Sequence, residues 1–188
     1  MALRKPAGTW TYEDLFSLPD DGRRYEIIEG ELYEMPGPTS IHALVITALM
    51  RLLLPVVDRL GGVIVTAPLD VFFLGADPVQ PDLTVLLSDS RAQVVRRGIE
   101  GPPDLIVEVL SPSNRGHDLL TKRALYARAG VREYWIVDPE AKTLEILALD
   151  RDALHSIAIA SGNDVPTSPL FGSLAVSVDS LFPDLDEA

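Results

Sequence analysis

The chain has no cysteine, which removes disulfide frameworks, thiol nucleophiles, zinc thiolate sites and iron–sulfur clusters together. Any metal must therefore sit on oxygen or imidazole, and only three histidines are present. The first twenty residues lack the apolar core of a signal peptide, and the longest apolar stretch, Ala43 to Val57, is broken by Thr47, Arg51 and Pro55. The expectation is a soluble, cytoplasmic protein with no membrane partner. Neither an internal repeat nor a low-complexity tract divides the 188 residues. They are read as one domain over 1–188, with an N-terminal helical extension over 1–20 and a weakly patterned segment over 150–188.

Positive charge is scarce as well: 16 Lys and Arg stand against 28 Asp and Glu, a net of −12 that argues against a surface coated in polyanion. Its distribution is uneven. Eight bases (Arg91, Arg96, Arg97, Arg115, Lys122, Arg123, Arg128, Arg132) face four acids between Arg91 and Arg132, so that stretch is +4 and the remainder −16. An enzyme surface that is merely uneven would look the same.

What is present is 47% apolar and 23% charged, the usage of a globular protein with a real core. Thr11 to Phe16 reads as a short capped helix. Two runs flanking Gly30, Arg24 to Glu29 and Glu31 to Glu34, read as a β-hairpin, since glycine tolerates positive φ at the turn. From Ile41 to Leu60 apolar residues recur every three and four positions, predicting a long amphipathic helix capped by Ser40 or Thr39 and ended by Gly61-Gly62. Val63 to Ala67, Asp70 to Leu74 and Asp82 to Leu87 read as adjacent strands. A strand over Asp104 to Leu110, a helix over 118 to 129 closed by Gly130, and a strand over Glu133 to Val137 predict a β-α-β crossover. A hairpin to Thr143 through Leu147 follows. The fold class is α/β or α+β, a mixed central sheet flanked by helices.

Glu108 stands out because Leu105-Ile-Val-Glu-Val-Leu110 is otherwise apolar, and a buried carboxylate must be neutral, paired or bound to a cation. A plain ion pair with Arg or Lys would serve. Two Pro-Asp-Leu tripeptides, at 81–83 and 103–105, offer a second acid. Asp104 lies four residues before Glu108 on one strand, roughly 13 Å away. Ligands of one Mg²⁺ must each approach to about 2.1 Å. Asp82, from a neighbouring strand, is the better partner, and Asp104 reads as a strand-start residue. Lys122 shares a helical face with Leu119, Leu125 and Tyr126 and so points inward, although an exposed pair with Asp118 fits the same spacing. Arg123 and Arg128 should point outward.

Several stretches together resemble the Uma family of restriction-endonuclease-like proteins, a branch of the PD-(D/E)XK nuclease superfamily. They are Tyr25-Glu-Ile-Ile-Glu-Gly-Glu-Leu32, Met35-Pro-Gly-Pro38 with His42, Ala67-Pro-Leu-Asp-Val71 and Gln80-Pro-Asp-Leu83, then Pro103 through Ser113, Asp118, Lys122 through Gly130, and Glu133-Tyr-Trp-Ile-Val-Asp-Pro139. The resemblance implies a restriction-endonuclease-like fold and a Mg²⁺- or Mn²⁺-dependent phosphodiesterase site with an acidic pair and a lysine. The superfamily pattern places that lysine two residues after the glutamate, where this chain has Leu110; Lys122 looks like its relocated equivalent.

The expected activity is therefore endonuclease hydrolysis of nucleic acid, DNA ahead of RNA. Asp82 and Glu108 would hold the metal, and Lys122 would orient water or stabilise charge. His42 is a candidate contact to the site or to phosphate, or an ordinary cap-region histidine. Glu29 is a candidate further carboxylate or a hairpin acid, and Arg115 and His117 are candidate phosphate contacts in the loop after the Glu108 strand. Two other readings stand beside it. One is a catalytically inactive module of the same fold for nucleic-acid or protein interaction; the other is a hydrolase of a small phosphoester. A homodimer is expected, with the Trp135 strand and the hairpin after it as the candidate pairing edge.

Overall fold

In the computed structural model, residues 8–18, 23–28, 30–35, 37, 39–111 and 121–184 are described. The helical periodicity over residues 41–60 becomes α2 (Ser40–Arg59), which follows a short α1 (Tyr12–Leu15) and a hairpin of β1 (Arg24–Ile28) and β2 (Glu31–Met35). Thr39 caps α2, its side chain accepting the His42 N–H at 3.2 Å. Val45, Leu49, Leu53 and Val57, spaced four apart, form the buried stripe. By length and composition alone α2 could cross a membrane. Its stripe instead packs on one face of a sheet, against Leu83, Val85, Leu105 and Val107.

That sheet has six strands in the order β11-β10-β9-β8-β5-β3. They are β3 (Val63–Thr66), β5 (Leu83–Leu86), β8 (Leu105–Val109), β9 (Glu133–Asp138), β10 (Thr143–Asp150) and β11 (Ala153–Ser161). All neighbours run antiparallel except β8 and β9, which are parallel and joined by the expected crossover through α3 (Arg123–Ala129). Gly130, at φ +87, ends α3 in the left-handed conformation. The second face of the sheet packs on Leu125 and Tyr126 of α3. With both faces covered, β8 and β9 are buried at every residue, which explains their nearly unbroken apolar sequence. The architecture is α+β, a mixed sheet between helices.

Three expectations need correction. Of the runs read as adjacent strands, the first and third pair as β3 and β5. The middle one becomes β4 (Val71–Phe72), which joins a separate three-stranded sheet with β6 (Gln93–Val95) and β7 (Gly98–Glu100). β6 and β7 are three residues each, too short for alternation to register in the sequence. Gly98, at φ +152, permits the close approach of β7 to the chain entering β4, since a Cβ there would fall 2.2 Å from the Asp70 carbonyl oxygen. The weakly patterned C-terminal segment contains the nine-residue β11, legible only poorly because just Leu154 and Ala160 of it are buried. Finally, the Trp135 strand is β9, hydrogen-bonded on both sides within the sheet, and the edge on that side is β11, which follows in the chain after the expected hairpin.

Candidate active site

β5 and β8 pair with Leu83 opposite Val107, and one further step along that register sets Asp82 opposite Glu108. Both acids therefore lie at one end of the strand pair. Asp82 is half-buried; its Oδ2 accepts the Val109 N–H at 2.8 Å and lies 3.1 Å from His42 Nε2 at the start of α2. Glu108 is buried, and its Oε1 accepts Lys122 Nζ at 3.0 Å and the Tyr126 hydroxyl at 2.7 Å. Burial, and after it the charge of Glu108, pushes the Tyr126 phenol well above its ordinary value of 10. It stays protonated and serves as a donor.

Lys122, 1% exposed, faces a second buried acid. Glu26, from β1, has Oε2 3.6 Å from Lys122 Nζ, while its Oε1 accepts the Gln80 N–H at 2.9 Å. The backbone leading into Asp82 is thus tied to the carboxylate behind the lysine. Gln80 is held from its other end too: Nε2 donates to Asp70 Oδ1 at 2.9 Å, and Asp70 Oδ2 accepts the Tyr12 hydroxyl at 2.5 Å. Desolvation and the Asp70 carboxylate push that phenol up to about 12. The N-terminal helix, read in sequence as part of an extension over 1–20, and the hairpin after it form one wall of the site.

A family model described as "Putative restriction endonuclease", Uma2, matches residues 12–179. The chain belongs to the Uma2 family. Among solved structures it is similar to a crystal structure of a putative nuclease belonging to DUF820 from Anabaena variabilis, with TM-score 0.71 and 22% identity over 92% of this chain and 97% of that one. That likeness establishes the restriction-endonuclease-like fold. No curated protein matches the chain.

In this Uma2 chain the fold gathers four of the residues singled out by sequence, namely Asp82, Glu108, Lys122 and His42. Glu29, Arg115 and His117 lie outside the described residues. Two side chains at the site were missed. Glu26 lies in β1 between Tyr25 and Ile27, and with Arg24 and Glu29 close by, the run carries no signal as sharp as the lone acid among Leu105-Ile-Val and Val109. Tyr126 lies one helical turn beyond Lys122, and in the sequence its ring reads as core, which gives no sign that its hydroxyl meets Glu108. Lys122 does not make an exposed pair; it is the cation that compensates Glu108, so the plain ion pair and the candidate catalytic lysine are one contact.

Several bases of the stretch between Arg91 and Arg132 have partners within the protein while their side chains stay at the surface. Arg91 bonds the Gly130 carbonyl, Arg97 pairs with Glu100, and Arg132 pairs with Asp104. Arg123 does not point outward: its Nε and Nη2 donate to the Leu154 carbonyl at 3.1 and 2.6 Å, fastening α3 to β11. Arg128 is exposed, as read.

Among the described residues no group of three or more His, Asp and Glu side chains is gathered as a metal cage. The donors of Asp82 and Glu108 are hard oxygens all the same. Mg²⁺ commonly binds through one or two carboxylates and keeps several waters, so this acid pair has the donor chemistry it takes.

Proposed function

We propose that the protein is a Mg²⁺-dependent nuclease that hydrolyses phosphodiester bonds of nucleic acid, DNA in the first place, at Asp82, Glu108 and Lys122. The observation that carries this reading is the pairing of Asp82 opposite Glu108 with a buried ammonium on Glu108. An isolated buried carboxylate of this kind is costly, and so is an isolated buried lysine. Their joint retention beside a half-buried aspartate favours a site over a purely structural pair.

Magnesium bound by the two carboxylates would supply Lewis-acid polarisation of the phosphate and a water of lowered pKa. The remaining work falls to the chain. Asp82 is oriented by the Val109 N–H and by His42, and Glu108 by the Tyr126 hydroxyl. Lys122 brings a positive charge to where negative charge develops on the phosphate oxygens. Its side chain starts from the turn before α3 and reaches back to β8, the task that a strand lysine performs in the superfamily pattern.

The test is incubation of plasmid and single-stranded DNA with purified protein and Mg²⁺ or Mn²⁺, beside Asp82→Asn and Glu108→Gln. Cleavage should fall by roughly 100-fold or more in each variant. Equal cleavage by all three proteins would refute the assignment. The surface pairing of Arg97 with Glu100 and of Arg132 with Asp104, with a net charge of −12, favours a second reading, a small phosphoester as substrate. Nucleic-acid turnover would weaken steeply with salt, whereas hydrolysis of a small ester would not.

A further inference from the structure

Glu26 is the buried group that the proposed chemistry leaves without a task. It is 4% exposed, and among the described residues no hydrogen bond reaches its Oε2, an atom sealed from solvent. A buried carboxylate oxygen left unsatisfied is expensive, so its position calls for an explanation. Its other oxygen is fixed by the Gln80 N–H, which aims Oε2 toward Lys122 at 3.6 Å. The ammonium itself leans the other way, 3.0 Å from Glu108.

We propose that Glu26 is a positioning residue that provides a second seat for the Lys122 ammonium. Lys122 rests on Glu108 and moves onto Glu26 Oε2 when the charge of Glu108 is taken up by another cation. The travel is small: closing 3.6 Å to the roughly 2.7–2.9 Å of a charge-assisted hydrogen bond needs less than about 1 Å. The described hydrogen bonds of the two acids stay in place. The Tyr126 hydroxyl remains on Glu108 Oε1, the Gln80 N–H remains on Glu26 Oε1, and the buried ammonium faces a carboxylate throughout. A site with one carboxylate behind the lysine would have to strand either the lysine or Glu108 when a metal arrives. This inference rests on the metal-site reading for its purpose, but the two seats are a property of the three side chains alone.

The experiment therefore begins without metal. Glu108→Gln, Glu26→Gln and the double variant are compared with wild type by urea unfolding, and the Lys122 side-chain ¹⁵Nζ and ¹³Cε signals are followed by NMR. In Glu108→Gln the lysine should stay protonated and its signals should move, because the ammonium transfers to Glu26. Each single variant should unfold at a moderately lower midpoint, and the double variant should lose more than the sum of the two. Adding Lys122→Met to the double variant should restore part of that loss, since it removes the cation left without a carboxylate. Additive losses, or Lys122 signals that stay unchanged in Glu108→Gln, would overturn the two-seat proposal. Mg²⁺ is then titrated into wild type and Glu26→Gln. The Lys122 signals of wild type should shift toward those of Glu108→Gln, and those of Glu26→Gln should not. If wild type gives no response to Mg²⁺ while the metal-free cycle is non-additive, the nuclease reading fails and the two seats stand.

Discussion

The two ends of the β5–β8 strand pair make a natural experiment. Each begins with Pro-Asp-Leu, and each aspartate uses Oδ2 to accept a backbone N–H at the far end of the other strand, Asp82 from Val109 and Asp104 from Leu87, both at 2.8 Å. Their surroundings then diverge. Extending the register sets Asp82 opposite Glu108 and Asp104 opposite Leu86. Behind Glu108 stand Lys122, Tyr126 and Glu26, whereas Asp104 meets Arg132 at 2.9 Å. The tripeptide by itself builds only a strand cap. The Asp82 end adds a second acid across the ladder with a buried ammonium in reach, the arrangement that the proposed chemistry uses.

The sharpest way to break this comparison is to neutralise the structural end. Asp104→Asn should lower unfolding stability by about 1.5–3 kcal/mol, the range for hydrogen bonds to a charged group, while leaving Mg²⁺-dependent cleavage near wild type. Urea unfolding and the plasmid assay read the two quantities separately, and loss of cleavage in a folded Asp104→Asn protein would show that the ends are not distinct. A smaller effect separates the partners of the two aspartates. His42→Ala should reduce cleavage by about tenfold, as expected when a group orienting a metal ligand is removed. Arg132→Ala should spare cleavage and cost at most about 1 kcal/mol, since its side chain is half-exposed.

The smallest effect concerns Glu133, a buried acid on the neighbouring strand that has neutral donors in place of a lysine. Trp135 Nε1, Ser168 Oγ and the Leu170 N–H bond it, and desolvation raises its pKa above the ordinary 4.5. The folded protein therefore keeps this proton at pH values where the unfolded chain has lost it. Stability from this group is complete below pH 4.5 and declines as pH rises through the folded value, by at most about 1.4 kcal/mol per pH unit. Glu133→Gln should remove that decline from a series of unfolding curves. An unchanged pH profile would show that the neutral donors fully offset burial.

Part of the site's geometry was legible because the signals are local. A glutamate amid Leu105-Ile-Val and Val109-Leu demands compensation wherever the strand ends up buried, and Lys122 on the stripe of Leu125 and Tyr126 must face inward. The strand-start role of Asp104 followed from strand length alone. Less legible were the parts fixed by distant pieces of chain. β4 leaves the main sheet for β7 through a close approach at Gly98, and Arg123 reaches β11, an edge strand whose own sequence alternates too weakly to declare itself.

By itself the sequence determined that Glu108 and Lys122 would be buried, since three- and four-residue and two-residue periodicities are set by neighbours along the chain. Only the tertiary structure decided which side chains would meet. Glu26 comes to Lys122 from a hairpin nearly a hundred residues earlier, and His42 comes to Asp82 from the cap of α2. Those contacts depend on how the helices and the hairpin close over the sheet, and pattern along the chain carries no record of that closure.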